Sequence, residues 1–229
     1  MDIFNLVKVS TTIITSLIAL IIGFRILLLN RTDWFNRWFS LFFISSSLGF
    51  LSYTIYHLIL NNAQIIIPIM ITAHIIFNFN TIALTMTVFI LEKFSKIAMS
   101  FKYLGTMMIL FVIMSIGYLI WIPELDLESY SLGIVNTRTN FGLFIFINVI
   151  RVILCFYVVY RYTIITKNIE AQIKKRMRRF TNGVIIMIIG ILTNIVAALY
   201  QFPIEILIEI VALLIVTVGS FIILYGFLI

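Results

Sequence analysis

Apolar runs of about twenty residues alternate with short polar separators along the whole chain of 229 residues. A helix crosses the ~30 Å hydrocarbon core of a bilayer with about 20 residues, so each run is a candidate transmembrane helix. The pattern predicts one all-α domain, residues 1–229, folded as a seven-transmembrane-helix bundle. The predicted spans are residues 9–29, 38–60, 65–91, 104–121, 141–160, 180–200 and 204–228.

The composition supports a polytopic membrane protein. Hydrophobic residues make up 62% of the chain and charged residues 11%, with a mean hydropathy of +1.17. A soluble domain carries about 25% charged residues, because its surface must be solvated. We therefore expect a multi-pass protein of the cell membrane in contact with lipids. The single cysteine, Cys155, excludes a disulfide framework within the chain, and we expect no metal and no cofactor.

The basic residues are distributed unevenly between the two sides of the predicted bundle. Lys and Arg beside short loops mark the cytoplasmic side of a membrane protein. This bias predicts that the N-terminus lies outside and the C-terminus inside. It also accounts for the net charge of +7, so no nucleic-acid partner is expected. The first, third and fifth loops together hold 13 of the 16 basic residues: Arg25, Arg31, Arg37, Lys93, Lys96, Lys102, Arg161, Lys167, Lys174, Lys175, Arg176, Arg178 and Arg179.

A dense basic run precedes the sixth predicted span. Such a run can serve as a cytoplasmic interaction site for a partner, or it can fix the topology and contact anionic lipid headgroups. The run contains Lys174, Lys175, Arg176, Arg178 and Arg179.

Seven polar or ionisable residues lie in the outer half of predicted spans. Ionisable side chains within a bilayer are costly and mark function by default. One interpretation is a ligand-binding or gating cavity open to the outside, in which Arg151 pairs with Glu209 or else with Glu205. The alternative is a set of interhelical hydrogen bonds that stabilises the bundle. The seven candidates are His57, His74, Asn148, Arg151, Asn194, Glu205 and Glu209.

Signatures of membrane enzymes are missing from the sequence. It contains no G-x-S-x-G segment, no H-E-x-x-H segment and no Asp within a predicted span. Residues 180–229 contain no Lys, so a retinal Schiff base in the last span is excluded. We expect a protein that is not an enzyme.

Segments beside the first and fifth loops carry a resemblance to a known family. The segment Asn36-Arg37-Trp38-Phe39-Ser40 leads into span two, and span five ends in Tyr157–Tyr162 (YVVYRY). Arg176–Phe180 (RMRRF) and Gly183 then lead into span six. This pattern resembles the seven-helix N-terminal sensor region of many prokaryotic histidine kinases and diguanylate cyclases. The resemblance implies a signal-input module with its N-terminus outside and its C-terminus inside.

Sensor regions of this kind normally continue into PAS, kinase or cyclase domains, whereas this chain ends with its seventh span. We therefore expect either a separate cytoplasmic signalling partner or a longer receptor of which this chain is a part. A homodimer is a further candidate assembly.

Three functional hypotheses follow. The first is a receptor-like sensor that binds a small apolar or amphipathic ligand in an outer-half cavity and signals to a cytoplasmic partner. The second is a small transporter or channel with a polar path lined by Arg151, Glu205 and Glu209. Polar residues at 78–87 in span three extend this path toward the inside. The third is a structural or assembly subunit of the membrane.

Overall fold

The computed structural model describes residues 3–59, 62–168, 171–200 and 204–228, without the side chains of 168, 171–173 and 227–228. The described chain is all-α apart from one two-stranded hairpin. It contains seven helices that are long and apolar enough to cross a membrane, which confirms the predicted number of spans.

The spanning helices alternate in direction along the chain. The fourth is preceded by a π-helical turn, Phe101–Gly105, and a short hairpin and a short helix connect it to the fifth. In chain order the elements are α1 (Ile3–Leu29), α2 (Trp34–Leu58), α3 (Ala63–Ala98), α4 (Thr106–Ile120), β1 (Glu124–Leu125), α5 (Leu127–Ser131), β2 (Thr137–Arg138), α6 (Phe141–Ile165), α7 (Ala171–Ala197) and α8 (Ile204–Leu228).

Polar side chains in the separators cap the N-termini of helices α2 and α6. The Asp33 carboxylate accepts a hydrogen bond from the backbone N–H of Phe35, at 3.3 Å, at the start of α2. The Asn140 side chain accepts from the N–H of Leu143, at 3.2 Å, at the start of α6. Each cap satisfies a backbone donor that has no partner within the first helical turn, so these separators fix where α2 and α6 begin.

Helices α1, α3 and α7 extend beyond the predicted spans, over polar residues that lie inside these helices. Helix α1 begins at Ile3 instead of residue 9, so Lys8 lies within the helix. Helix α7 begins at Ala171 instead of residue 180, so the basic run is a helical extension of the span. The seventh span, 204–228, coincides with α8.

Helix α8 packs between α1 and α7, whereas α6 packs against α3 and α7. Two glycines allow α7 and α8 to approach closely. A Cβ atom on Gly183 would lie 2.7 Å from the Gly219 carbonyl oxygen, and one on Gly219 would lie 2.8 Å from that of Gly183. Small residues at helix contacts favour such close packing in membranes.

Large apolar side chains fill the half of the bundle that lies away from the start of α1. Ile22, Phe39, Phe43, Phe180 and Ile223 are buried there. The opposite half, where α1 and α8 begin and α2 ends, contains the buried polar residues Asn5, Lys8, Thr12, Thr54 and His57, and is called the N-terminal end below.

Candidate functional site

A cavity of about 330 Å³ lies at the N-terminal end of the bundle. Six spanning helices, α1, α2, α3, α6, α7 and α8, and the connection between α4 and α6 supply its walls, whose side chains carry both charged groups and aromatic rings. The volume falls at the lower end of the range for small-molecule sites. The lining side chains with polar or ionisable groups include Lys8, Tyr53, Tyr56, His57, His74, Asn136, Arg138, Asn194, Glu205 and Glu209.

The connection between α4 and α6 covers one side of the cavity. Strands β1 and β2 pair antiparallel, and Asp126 between β1 and α5 organises the turn. Its carboxylate accepts from the Ser129 N–H at 3.3 Å and from the Arg138 guanidinium at 3.1 Å. Asn5 in the first turn of α1 donates to the Gly133 carbonyl at 2.9 Å. The Asp126 bonds hold the connection together, and the Asn5 bond attaches it to α1; the connection is called the cap below.

The same hydrogen bonds determine the charge of the Asp126 carboxyl group in the cap. Partial burial raises the pKa of Asp126, but hydrogen bonds from Ser129 and the nearby Arg138 guanidinium outweigh it. The net result is that the pKa of Asp126 lies below its ordinary value. The carboxylate therefore stays ionised at neutral pH and holds Arg138 at the rim of the cavity.

An ion pair lies at the base of the cavity. The Lys8 side chain is 1% exposed, and its ammonium group donates to the Glu209 carboxylate. The Tyr53 hydroxyl donates to the other oxygen of Glu209. Helices α1, α2 and α8 are therefore joined at one carboxylate, and removal of either charge would leave the other one buried.

The expected pair between Arg151 and Glu209 is wrong. The Arg151 guanidinium donates to the Asn78 side-chain oxygen at 2.7 and 3.2 Å, to the His74 carbonyl at 3.2 Å and to the Asn148 side-chain oxygen at 3.4 Å. The physical reason is helix order, since Arg151 faces α3 while α8 lies between α1 and α7.

Both histidines lie against aromatic rings beside the cavity. His57 is 2% exposed and stacks on Tyr53, with ring centroids 4.2 Å apart. His74 stacks on Tyr118 at 4.9 Å. The buried Nδ1 atom of His74 has no hydrogen-bond partner among the residues that the structure describes. By contrast, Nδ1 of His57 has a hydrogen-bond partner, because it lies 2.9 Å from the Tyr53 carbonyl oxygen.

The structure divides the seven candidate residues into two groups. Asn148 and Arg151 belong to the hydrogen-bonded cluster with Asn78, next to the cavity and outside its lining. The remaining five line the cavity: His57, His74, Asn194, Glu205 and Glu209.

Two polar residues of span three, Asn80 and Thr87, form hydrogen bonds to neighbouring helices. Asn80 donates to the Ser46 hydroxyl at 2.7 Å, and the Thr87 and Tyr162 hydroxyls lie 2.8 Å apart. These side chains join α3 to α2 and α6 within the apolar half of the bundle.

Lys8, Tyr53 and Asn136 line the cavity but are not among the seven candidates. Lys8 has a signal in the sequence. Its signal is a polar stripe on α1, because Asn5, Lys8, Thr12 and Thr15 recur at intervals of three or four residues. Such residues share one helix face, and all four are buried. A search for polar helical periodicity across the predicted start of span one would have found them.

The basic run lies at the opposite end of the bundle from the cavity. Lys174, Lys175 and Arg178 are exposed on the first turns of α7. The Arg179 guanidinium lies over the Tyr225 ring, 4.4 Å from its centroid. This contact ties the run to the last turns of α8.

No protein-family model and no curated protein matches this chain. A functional assignment therefore depends on the chemistry of the cavity. Its lining combines an ion pair, a second carboxylate, two imidazoles and several phenol rings. Such a lining can bind a small molecule that has both polar and apolar parts.

Proposed function

We propose that the protein is a receptor-like sensor of the cell membrane that binds a small amphipathic ligand in the N-terminal cavity. In this proposal, ligand binding shifts the helices and changes the contacts of the bundle with a cytoplasmic signalling partner. The observation that carries the proposal is the cavity of about 330 Å³, which brings ionisable side chains from several helices together.

The lining favours an amphipathic ligand over a purely apolar one. Lys8, Glu205 and Glu209 present charged groups to the cavity, while Met70 and Phe144 present apolar surface. An apolar ligand would remove water from the charged groups without replacing its hydrogen bonds, which is unfavourable. A ligand with a polar end and an apolar body satisfies both parts of the lining.

The charge distribution supports an outward-facing cavity. The basic residues that flank the first, third and fifth loops lie near or beyond the C-terminal ends of α1, α3 and α6, away from the cavity. By the positive-inside rule, that end faces the cytoplasm. The proposed orientation therefore exposes the cavity to the external medium and the basic run of α7 to a cytoplasmic partner.

Helix α8 provides a continuous mechanical connection between the two ends. Glu209 lies at the cavity, the Thr217 and Thr15 hydroxyls are 2.6 Å apart in the middle, and Tyr225 lies under Arg179 at the far end. A ligand shifts a conformational equilibrium only by binding one state better than another. Contacts at Glu209 would provide that difference, because they change the position of α8.

The apolar half of the bundle favours a sensor over a transporter. Ile22, Phe43 and Ile223 are buried below the cavity. Two polar residues of α3, Asn80 and Thr87, bond to neighbouring helices. A polar solute that moved from the cavity toward the other end would have to pass this packed layer. The transport hypothesis remains testable by a direct flux measurement.

Occupation of the cavity can be tested by filling it. Ala197 lines the cavity and is buried, whereas its neighbour Val196 is exposed on the bundle surface. In lipid nanodiscs we expect phenylethanolamine and its neutral analogue styrene glycol to bind the unchanged protein and Val196→Trp. Neither compound should bind Ala197→Trp. Equal binding to all three proteins would contradict the proposal.

Transport is tested with the same compounds in proteoliposomes. We expect radiolabelled phenylethanolamine to enter these vesicles no faster than protein-free vesicles. Protein-dependent entry that Ala197→Trp abolishes would support the transporter hypothesis and contradict a sensor.

A further inference from the structure

The cavity contains one carboxylate more than its cations neutralise. Glu209 is paired with Lys8 and also accepts from Tyr53, and the Arg138 guanidinium is paired with Asp126 at 3.1 Å. Among the described residues, no basic side chain lies within ion-pair distance of Glu205. The part of the cavity around Glu205 therefore favours a positively charged ligand.

A hydrogen-bond donor lies next to this carboxylate. Asn136 in the cap lines the cavity, is 6% exposed and lies close to Glu205. Its side-chain nitrogen lies near the Glu205 carboxylate, yet it makes no hydrogen bond of 3.5 Å or less within the described part of the chain. A buried polar group without a partner is unfavourable, so this nitrogen is a natural donor to an acceptor on a ligand.

Aromatic rings complete the surroundings. Tyr56 and Tyr200 line the same cavity as Glu205. The faces of aromatic rings attract organic cations, and the rings also offer apolar surface to the body of a ligand. The lining thus combines an acceptor for a cation, a donor for an adjacent oxygen and aromatic surface.

We propose that the cavity binds a protonated organic amine with an oxygen acceptor on a neighbouring carbon. The ammonium group donates to the Glu205 carboxylate, and the oxygen accepts from the Asn136 amide. This inference rests on the proposed function, because it names the class of ligand for the same cavity. Two sources carry this chemistry: a free amine from the external medium and the ethanolamine headgroup of a phospholipid.

The test compares two compounds of nearly equal size. Phenylethanolamine has the required amine, and styrene glycol has a hydroxyl group in its place. Calorimetric titration uses the whole chain in amine-free phosphatidylglycerol nanodiscs at neutral pH. We expect phenylethanolamine to bind at least about tenfold more tightly than styrene glycol. The reason is that a hydrogen bond between charged groups contributes that much affinity.

The variants assign this preference to one carboxylate. Glu205→Gln should remove the preference for the amine and leave the affinity for styrene glycol unchanged, while Glu205→Asp should keep part of it. Glu128→Gln is the matched control, because Glu128 is exposed on the cap outside the cavity lining. It should bind both compounds as the unchanged protein does.

The source of the amine is tested by adding phosphatidylethanolamine to the nanodiscs. Competition that weakens phenylethanolamine binding to the unchanged protein, but not to Glu205→Gln, identifies the lipid headgroup. Unchanged affinity identifies a free amine.

Two results would overturn the inference in distinguishable ways. Equal affinities for the two compounds, insensitive to Glu205→Gln, would contradict the amine site and leave the proposed cavity ligand intact. Failure of both compounds to bind, with no difference between the unchanged protein and Ala197→Trp, would contradict the amine site and the proposed function together.

Discussion

Separate and joint removal of the Lys8 and Glu209 charges tests the ion pair at the base of the cavity. The variants are Lys8→Met, Glu209→Gln and the double substitution. Each single change leaves one charge in a site where the Lys8 side chain is 1% exposed and that of Glu209 is 20% exposed. The double change removes both charges and keeps side chains of similar size.

The expected magnitudes follow from this burial. Breaking a buried pair by removing one partner costs about 3–5 kcal/mol, because the other charge is left uncompensated. Tyr53 still donates to Glu209 after Lys8→Met, so we expect the lower end of that range, about 3 kcal/mol. The double variant should lose about the same amount as one single variant, instead of the sum of both.

The assay is the free energy of unfolding, measured by titration with a denaturing detergent. Arg138→Gln is the control, since that side chain is 63% exposed in its ion pair and should change stability by less than about 1 kcal/mol. Additive losses in the double variant would show that Lys8 and Glu209 are not coupled, and would refute the reasoning.

Three further predictions concern the helix contacts and the cap. Asn78→Leu should destabilise the protein by about 2 kcal/mol or more in the same assay, because the Arg151 guanidinium loses its main acceptor. Gly183→Leu should destabilise it also, because a side chain there meets the Gly219 carbonyl. Asp126 has a lowered pKa, so its stabilisation of the cap is present above the unfolded value of about 3.9 and is lost as pH falls through the folded pKa. Hydrogen exchange of the cap should accelerate over that pH range in the unchanged protein but not in Asp126→Asn.

The number of spans is predictable from the sequence because it depends on local composition. Apolar runs of the right length mark seven helices, and polar residues such as Asp33 and Asn140 mark where α2 and α6 begin. The same local criterion starts the first span at residue 9, whereas helix α1 begins at Ile3. An apolar window excludes a lysine, whereas Lys8 lies in the helix because Glu209, 201 residues away, neutralises it.

The membership of the candidate site is only partly predictable. Glu205 and Glu209, which are selected by their depth along the last span, both line the cavity. Depth does not specify which helices are adjacent. The prediction therefore pairs Arg151 with α8, whereas its guanidinium bonds to α3. Helix order arises from packing over the whole bundle, including the close contact of α7 with α8.

The sidedness and ligand dependence of the cavity can be measured at one position. Thr137 lines the cavity on β2, so a Thr137→Cys variant in a Cys155→Ser background provides a single reporter thiol. In intact cells, a membrane-impermeant maleimide should label this thiol, and saturating phenylethanolamine should slow the labelling. Adding Ala197→Trp should abolish the protection. Labelling that requires permeabilised cells, or that the ligand leaves unchanged, would contradict an outward-facing ligand-binding cavity.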